Sequence, residues 1–142
     1  MPANSTNIAH PRFLPDGKHF LYLLFDNDPE KTGTYFASLD GRDQHLVIGG
    51  YESVVYSAGF LLYLREGTLV AQAFDADRGQ FTSNAPRAVV DGVAFNTYFH
   101  YSFDGSDNGV LVYRRRNEAY DRRLTWFDRN DRKLDFIGEP AP

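Results

Sequence analysis

Cysteine is absent from the 142 residues, which removes disulfides, thiolate zinc sites and cysteine nucleophiles together and leaves the redox compartment open. Long apolar runs are missing as well. The best of them, Phe60-Leu61-Leu62-Tyr63-Leu64, is a quarter of the roughly 20 residues that a membrane-spanning helix needs, so it is expected to be core. The opening residues, Met1-Pro2-Ala3-Asn4-Ser5-Thr6-Asn7, carry neither the cationic start nor the apolar stretch of a secretory signal. No charge of one sign dominates: 15 Lys and Arg against 19 Asp and Glu give −4. The whole-molecule field therefore offers nothing to a polyanion, and general nucleic-acid binding is disfavoured.

Aromatic residues are what the chain has in quantity. Twelve Phe, nine Tyr and one Trp supply large apolar bodies that suit a pleated surface, while helix-length windows with a 3.6-residue period are few. The chain is long enough for one domain with a sizeable core. Its residues read as short strands divided by Gly, Asp, Asn and Pro. Arg12–Leu14 is expected to turn through Pro15-Asp16-Gly17 into His19–Phe25, because proline presets φ at the second turn position and glycine closes the turn without steric cost. A polar loop, Asp26 to Gly33, leads to Thr34–Leu39, then Asp40-Gly41, then Gln44–Ile48.

This four-strand meander recurs with a spacing of about 40 to 50 residues, a signal of repeat architecture. Ser53–Ser57, Phe60–Arg65, Thr68–Phe74 and Arg87–Asp91 make a second unit. Tyr98–Phe103, Val110–Arg114, Arg123–Phe127 and Lys133–Ile137 make a third. Tyr22, Tyr63 and Tyr113 close the second strand of each unit, and Leu39-Asp40, Phe74-Asp75 and Phe127-Asp128 end each third strand. The expected fold is all-β: about three four-stranded antiparallel meanders as β-propeller blades, at 10–50, 51–93 and 94–140, after a polar segment 1–9. A sandwich of unrelated hairpins is the alternative.

The run Phe13-Leu14-Pro15-Asp16-Gly17-Lys18-His19-Phe20-Leu21-Tyr22, with Tyr35 to Gly41 after it, resembles the blade signature of TolB-like, WD-repeat-like bacterial propellers. Gly59 to Asp75 and Leu124-Thr125-Trp126-Phe127-Asp128-Arg129 resemble propeller regions attached to bacterial serine/threonine protein kinases. The resemblance implies a six-bladed ring, a sensing or protein-contact role and an extracytoplasmic setting, and it brings no catalytic residue with it. The full Pro-Asp-Gly turn occurs only in the first unit, and no kinase signature is present.

Local motifs for chemistry fall short. Ser57-Ala58-Gly59 and Gly105-Ser106-Asp107 are fragments of a nucleophile elbow without the helix that should follow. Asp104-Gly105-Ser106-Asp107-Asn108-Gly109 imitates the first half of a calcium loop, but its twelfth place is Arg115 where a bidentate glutamate belongs, so a hairpin turn is expected. His10, His19, His45 and His100 lack the paired spacing of a zinc site. Carboxylates are many, but most sit in turns, where they bond their own backbone. Neither catalytic nor cofactor nor metal residues are assigned. Arg114, Arg115, Arg116, Arg122 and Arg123 flank Asn117 to Asp121 and form the one local concentration of charge.

The reading that follows is a non-enzymatic propeller module for protein or ligand binding, and the resemblance implies the sensing region of a serine/threonine kinase-like protein whose kinase domain would lie outside this chain. A gating propeller of a hydrolase such as an oligopeptidase is the alternative. In a propeller's strand order one end of the blades carries the connections between units and between second and third strands. That end would present Tyr51, Glu52, Arg65, Glu66, Phe95, Tyr98, Arg116 and Tyr120 to a partner. Three blades leave two lateral faces open, so a homodimer that closes a six-bladed ring is expected. A broad hydrolase and transferase screen with added divalent ions should return no turnover. Reproducible turnover abolished by one substitution would contradict the non-enzymatic reading.

Overall fold

The structure is a computed structural model, which describes residues 7–51, 54–94 and 102–116, and the strand backbone of 122–127 and 133–141. It is all-β. Four strands, β1 (Asn7–Phe13), β2 (His19–Phe25), β3 (Gly33–Ser38) and β4 (Gln44–Gly49), form an antiparallel meander in chain order. Phe13 pairs with Phe20, Leu21 with Phe36, and Phe36 with His45. The first strand starts at Asn7, so Asn7, Ile8 and Ala9 join the sheet opposite Phe25, Leu24 and Leu23. The polar look of this segment hid an alternation that only the neighbouring strand makes readable.

The second sheet repeats the meander with β5 (Val55–Ser57), β6 (Phe60–Arg65) and β7 (Thr68–Asp75). Its outermost position is shared by two strands. β8 (Gln80–Phe81) pairs with Phe74 and Asp75, and β9 (Arg87–Asp91) pairs with Thr68 to Ala71. The split was not legible in sequence, because Gln80 and Phe81 are too short a run to separate from a turn. Two-residue turns join β5 to β6 at Ala58-Gly59 and β6 to β7 at Glu66-Gly67, with φ positive at all four residues. That is the mirror-image turn whose twist matches the flanking strands.

Beyond these sheets, β10 (Phe103–Gly105) pairs with β11 (Leu111–Tyr113), and β12 (Arg122–Phe127) pairs with β13 (Lys133–Ala141), each as a two-stranded ladder. The expected strand Tyr98–Phe103 differs: β10 begins at Phe103 and runs through Gly105, while residues 98–101 lie outside the described residues. Gly105 looked like a turn residue, yet it serves close packing. A Cβ there would stand 2.9 Å from the Ser57 side chain and 3.0 Å from that of Leu62, tighter than ordinary contact. The chain reverses at Gly109 instead, where φ is +84°.

Packing follows the two-residue period of the strands. On β6, Leu61 and Tyr63 join Leu14, Leu21 and Phe36 of the first sheet, with Val54, Val70 and Phe74, in one core. The alternate residues Leu62 and Leu64 join Leu69 on β7, Val93 and Phe103 in another. The second sheet is therefore buried on both faces, between the first sheet and the β10–β11 hairpin. Consecutive antiparallel sheets stacked face to face are the arrangement of propeller-like blades. The inner strands converge as well: Arg12 on β1 donates to Asp104 on β10 at 3.1 Å. Both side chains are about half exposed, so the pair contributes under about 1 kcal/mol.

The junction between the first two sheets turns on Phe36. Its ring is 2 % exposed, burial that contributes about 2 to 3 kcal/mol. His19 stacks against it at 4.8 Å and His45 tilts against it at 5.1 Å. Gly79, in the β7–β8 turn with φ +66°, lies against the ring where any Cβ would overlap it. His45 Nε2 reaches the Gly79 carbonyl at 2.9 Å. Gly79→Ala should therefore destabilise the protein by about 2 to 4 kcal/mol, combining overpacking with a left-handed backbone. Urea unfolding followed by tyrosine and tryptophan fluorescence measures it; a change below about 1 kcal/mol would show that the ring is free to move aside.

Candidate functional site: the loop-bearing end of the sheets

Four connections meet at one end of the stacked sheets. β5 begins opposite Leu62 and ends opposite Phe60, so its start lies at the end of the sheet that carries the Glu66-Gly67 turn. His45, near the start of β4, meets Gly79 beyond the end of β7, so the ends of β2 and β4 lie on the side where β7 begins, at the Glu66-Gly67 turn. Gly50 N–H donates to the Thr32 carbonyl at 2.9 Å, tying the connection to the β2–β3 loop. Tyr51 is exposed, with its ring 5.9 Å from that of Phe25 at the end of β2.

At the second sheet the same end is held by a backbone ladder. Gly92 N–H donates to the Gly67 carbonyl at 3.2 Å, Arg116 N–H to the Gly92 carbonyl at 2.6 Å, and Ala94 N–H to the Arg114 carbonyl at 2.9 Å. Val93 and Arg115 form an antiparallel bridge, and the Thr68 hydroxyl donates to Asp91 at 2.7 Å. The backbone of Arg116 is thereby drawn beside the Glu66-Gly67 turn and Arg65, with Arg114 and Arg115 just before it in the same extended segment. All five side chains are exposed. Among the described residues none of these four arginines forms an ion pair. Of the other residues expected on this end, Glu52, Phe95, Tyr98 and Tyr120 lie outside the described residues.

The serines and the loop weighed for chemistry have structural duties. Ser57 is buried, and its hydroxyl donates to the Ser106 carbonyl at 2.6 Å, bridging β5 to the β10–β11 turn. Ser106 bonds within its own turn, to Asn108 and Val110. Asp104 faces the Arg12 guanidinium, and no cluster of three metal-ligating side chains occurs among the described residues.

Sequence spacing missed the pair of histidines on either side of Phe36. They are 26 positions apart by their numbers, 45 less 19, and become neighbours only through the registers of β2, β3 and β4. His19 is pinned further: its Nδ1 lies 2.5 Å from the Asp16 carboxylate. That carboxylate also accepts the amides of His19 at 3.0 Å and Lys18 at 2.9 Å, so the Pro15-Asp16-Gly17 turn fixes the start of β2.

Compared with protein-family models, curated proteins and solved structures, the chain has no significant match.

The backbone amides of His19 and Lys18 hold the Asp16 carboxyl down at about 2, against an ordinary 3.8. Asp28 is lowered by the Glu30 amide and by Lys31, and Asp40 by the Ser38 hydroxyl and the Arg42 amide. A carboxyl depressed on folding stabilises the native state fully above its unfolded value and ceases to do so as pH falls through its folded value. Asp16→Asn should therefore lower the melting temperature above about pH 4, with the gap from wild type closing as pH falls toward about 2. Melting curves across that range check it; a gap independent of pH would assign Asp16 a turn-forming role with no contribution from its charge.

Proposed function

We propose that this chain is a non-enzymatic, propeller-like binding module whose loop-bearing end takes an acidic segment of a protein partner. One observation carries the reading: among the described residues Arg65, Arg114, Arg115 and Arg116 are exposed without ion pairs, beside a backbone fixed by the Gly67–Gly92–Arg116 ladder. Arginine forks bind carboxylates in pairs, and a rigid backbone lowers the entropy lost when a partner docks. Tyr51 adds an exposed aromatic body of the kind that anchors interfaces. The net charge of −4 makes the patch a local attraction, suited to a short acidic segment more than to a long polyanion.

A narrower reading, the sensing region of a serine/threonine kinase-like protein, is supported by the resemblance of Gly59 to Asp75 and Leu124 to Arg129. A kinase and a membrane span encoded upstream of this segment would agree with it. An α/β-hydrolase domain downstream would favour the gating role instead.

The binding end is tested on an array of acidic and aromatic peptides. Tyr51→Ala, Arg65→Ala and Arg116→Ala together should weaken the peptides bound by wild type by at least about 2 kcal/mol, with the melting temperature unchanged because all three side chains are exposed. Undiminished affinity in the triple variant would reject this end as the binding surface.

A further inference from the structure

The first sheet has one covered face and one open face. Leu21 and Phe36 point into the core shared with the second sheet. The opposite face carries a run of rings, Phe13, Phe20, Tyr22 and Tyr35, with successive centroids 6.2, 5.8 and 5.7 Å apart. The strand registers add Ile8, opposite Leu24, and Leu46, opposite Tyr35, to the same side. Ile8 is 63 % exposed, Phe13 67 % and Leu46 40 %. A contiguous apolar face of this kind on a soluble domain marks a contact surface.

The second sheet shows what such a face receives. Its side toward the first sheet carries Tyr56, Phe74, Phe81 and Tyr63, with successive centroids 6.4, 5.7 and 6.4 Å apart. Tyr22 and Tyr63 hold matching places: each lies on the second strand of its meander and bonds a glutamine amide, Gln44 donating to the Tyr22 hydroxyl at 2.6 Å and Tyr63 donating to Gln72 at 2.7 Å. In the second sheet that ring series is covered by the Leu21 and Phe36 side of another sheet. The open face of the first sheet is thus the unoccupied half of a junction that the chain already makes once.

The chain also carries an open face of the opposite hand. The β10–β11 hairpin puts Phe103 and Leu111 onto the second sheet and leaves Val110 and Val112 outward, 63 % and 65 % exposed. The open ring face lies at one end of the described sheets and the apolar outward side of β10–β11 at the other, and inside the stack a ring face meets an apolar side that carries Leu21 and Phe36. We infer that a second copy of this chain occupies the open aromatic face, its β10–β11 side docked on Phe13, Tyr35 and Leu46, with the reciprocal junction closing the pair about a twofold axis. Two such head-to-tail junctions cover both open faces of the described sheets, whereas a single one would propagate without end.

Light scattering coupled to size-exclusion chromatography tests this on the chain as it stands. Wild type should run at twice the 16.2 kDa chain mass at micromolar concentration. Ile8→Glu/Phe13→Glu/Leu46→Glu and Val110→Glu/Val112→Glu should each raise the dissociation constant at least about 100-fold, with far-ultraviolet circular dichroism unchanged. Mixing the two variants should restore a dimer, because one intact aromatic face then meets one intact aliphatic face. A wild-type monomer or an open-ended ladder of masses overturns the inference whatever the variants do. So does a dimer of the Val110→Glu/Val112→Glu variant alone, which would mean that two aromatic faces meet each other.

Discussion

The β6–β7 ladder is apolar on both sides, and everything else in the stack is arranged around that fact. Leu61, Tyr63 and Val70 must leave water on one side while Leu62, Leu64 and Leu69 leave it on the other. A strand pair of this kind cannot sit at a surface, so it requires a sheet against each face. The first sheet supplies one cover and the β10–β11 hairpin the other. The Phe36–Gly79 contact sets how closely the first cover approaches, and Gly105 does the same for the second. Two glycines in unlike settings thus perform the same task, removing a Cβ where two sheets meet.

That stacking fixes the ends of the sheets as a by-product. Once β5 is registered against β6, the connections before β5 and after β9 have to emerge beside the Glu66-Gly67 turn, and their amides find partners there. Backbone groups at the rim of a sheet need hydrogen bonds as much as those in the middle. The ladder from Gly67 through Gly92 to Arg116 meets the need without using arginine side chains. The charges are left facing water on a frame held by backbone bonds. Scaffold and loop surface are separable here, the usual division of labour between sheets and loops.

The open face of the first sheet has the same origin as the buried face of the second. Both come from aromatic residues on one side of a meander, Phe13, Phe20, Tyr22 and Tyr35 in the first sheet and Tyr56, Tyr63, Phe74 and Phe81 in the second. Among the described residues the second is covered by the Leu21 and Phe36 side of the first sheet, while Ile8, Phe13 and Leu46 on the first stay exposed. Tyr22 illustrates the difference in cost. Its hydroxyl is held by Gln44, its ionisation is pushed up by burial, and its ring is nearly inaccessible, while Phe13 beside the same ladder stays exposed. The face is half sealed by its own side chains.

Strand class, the meander order of the first two units and most of the turns were legible in the sequence, because they depend on neighbours a few positions apart. Pro15-Asp16-Gly17, Ala58-Gly59 and Glu66-Gly67 punctuate apolar runs whose period is two, and such local signals survive without knowledge of what packs above them. What required the tertiary structure was every relation carried by register or by stacking. The division of the outer strand into β8 and β9, the service of Gly105 in a strand, the meeting of His19 and His45 over Phe36, and the Arg12–Asp104 pair across the inner strands are of this kind. So is the placing of the Arg116 backbone beside the Glu66-Gly67 turn and Arg65, which depends on the Gly67, Gly92 and Arg116 backbone bonds. A sequence states which residues alternate; which alternate set meets a neighbour is decided only when sheets pack, since shifting a register by one residue exchanges the two faces.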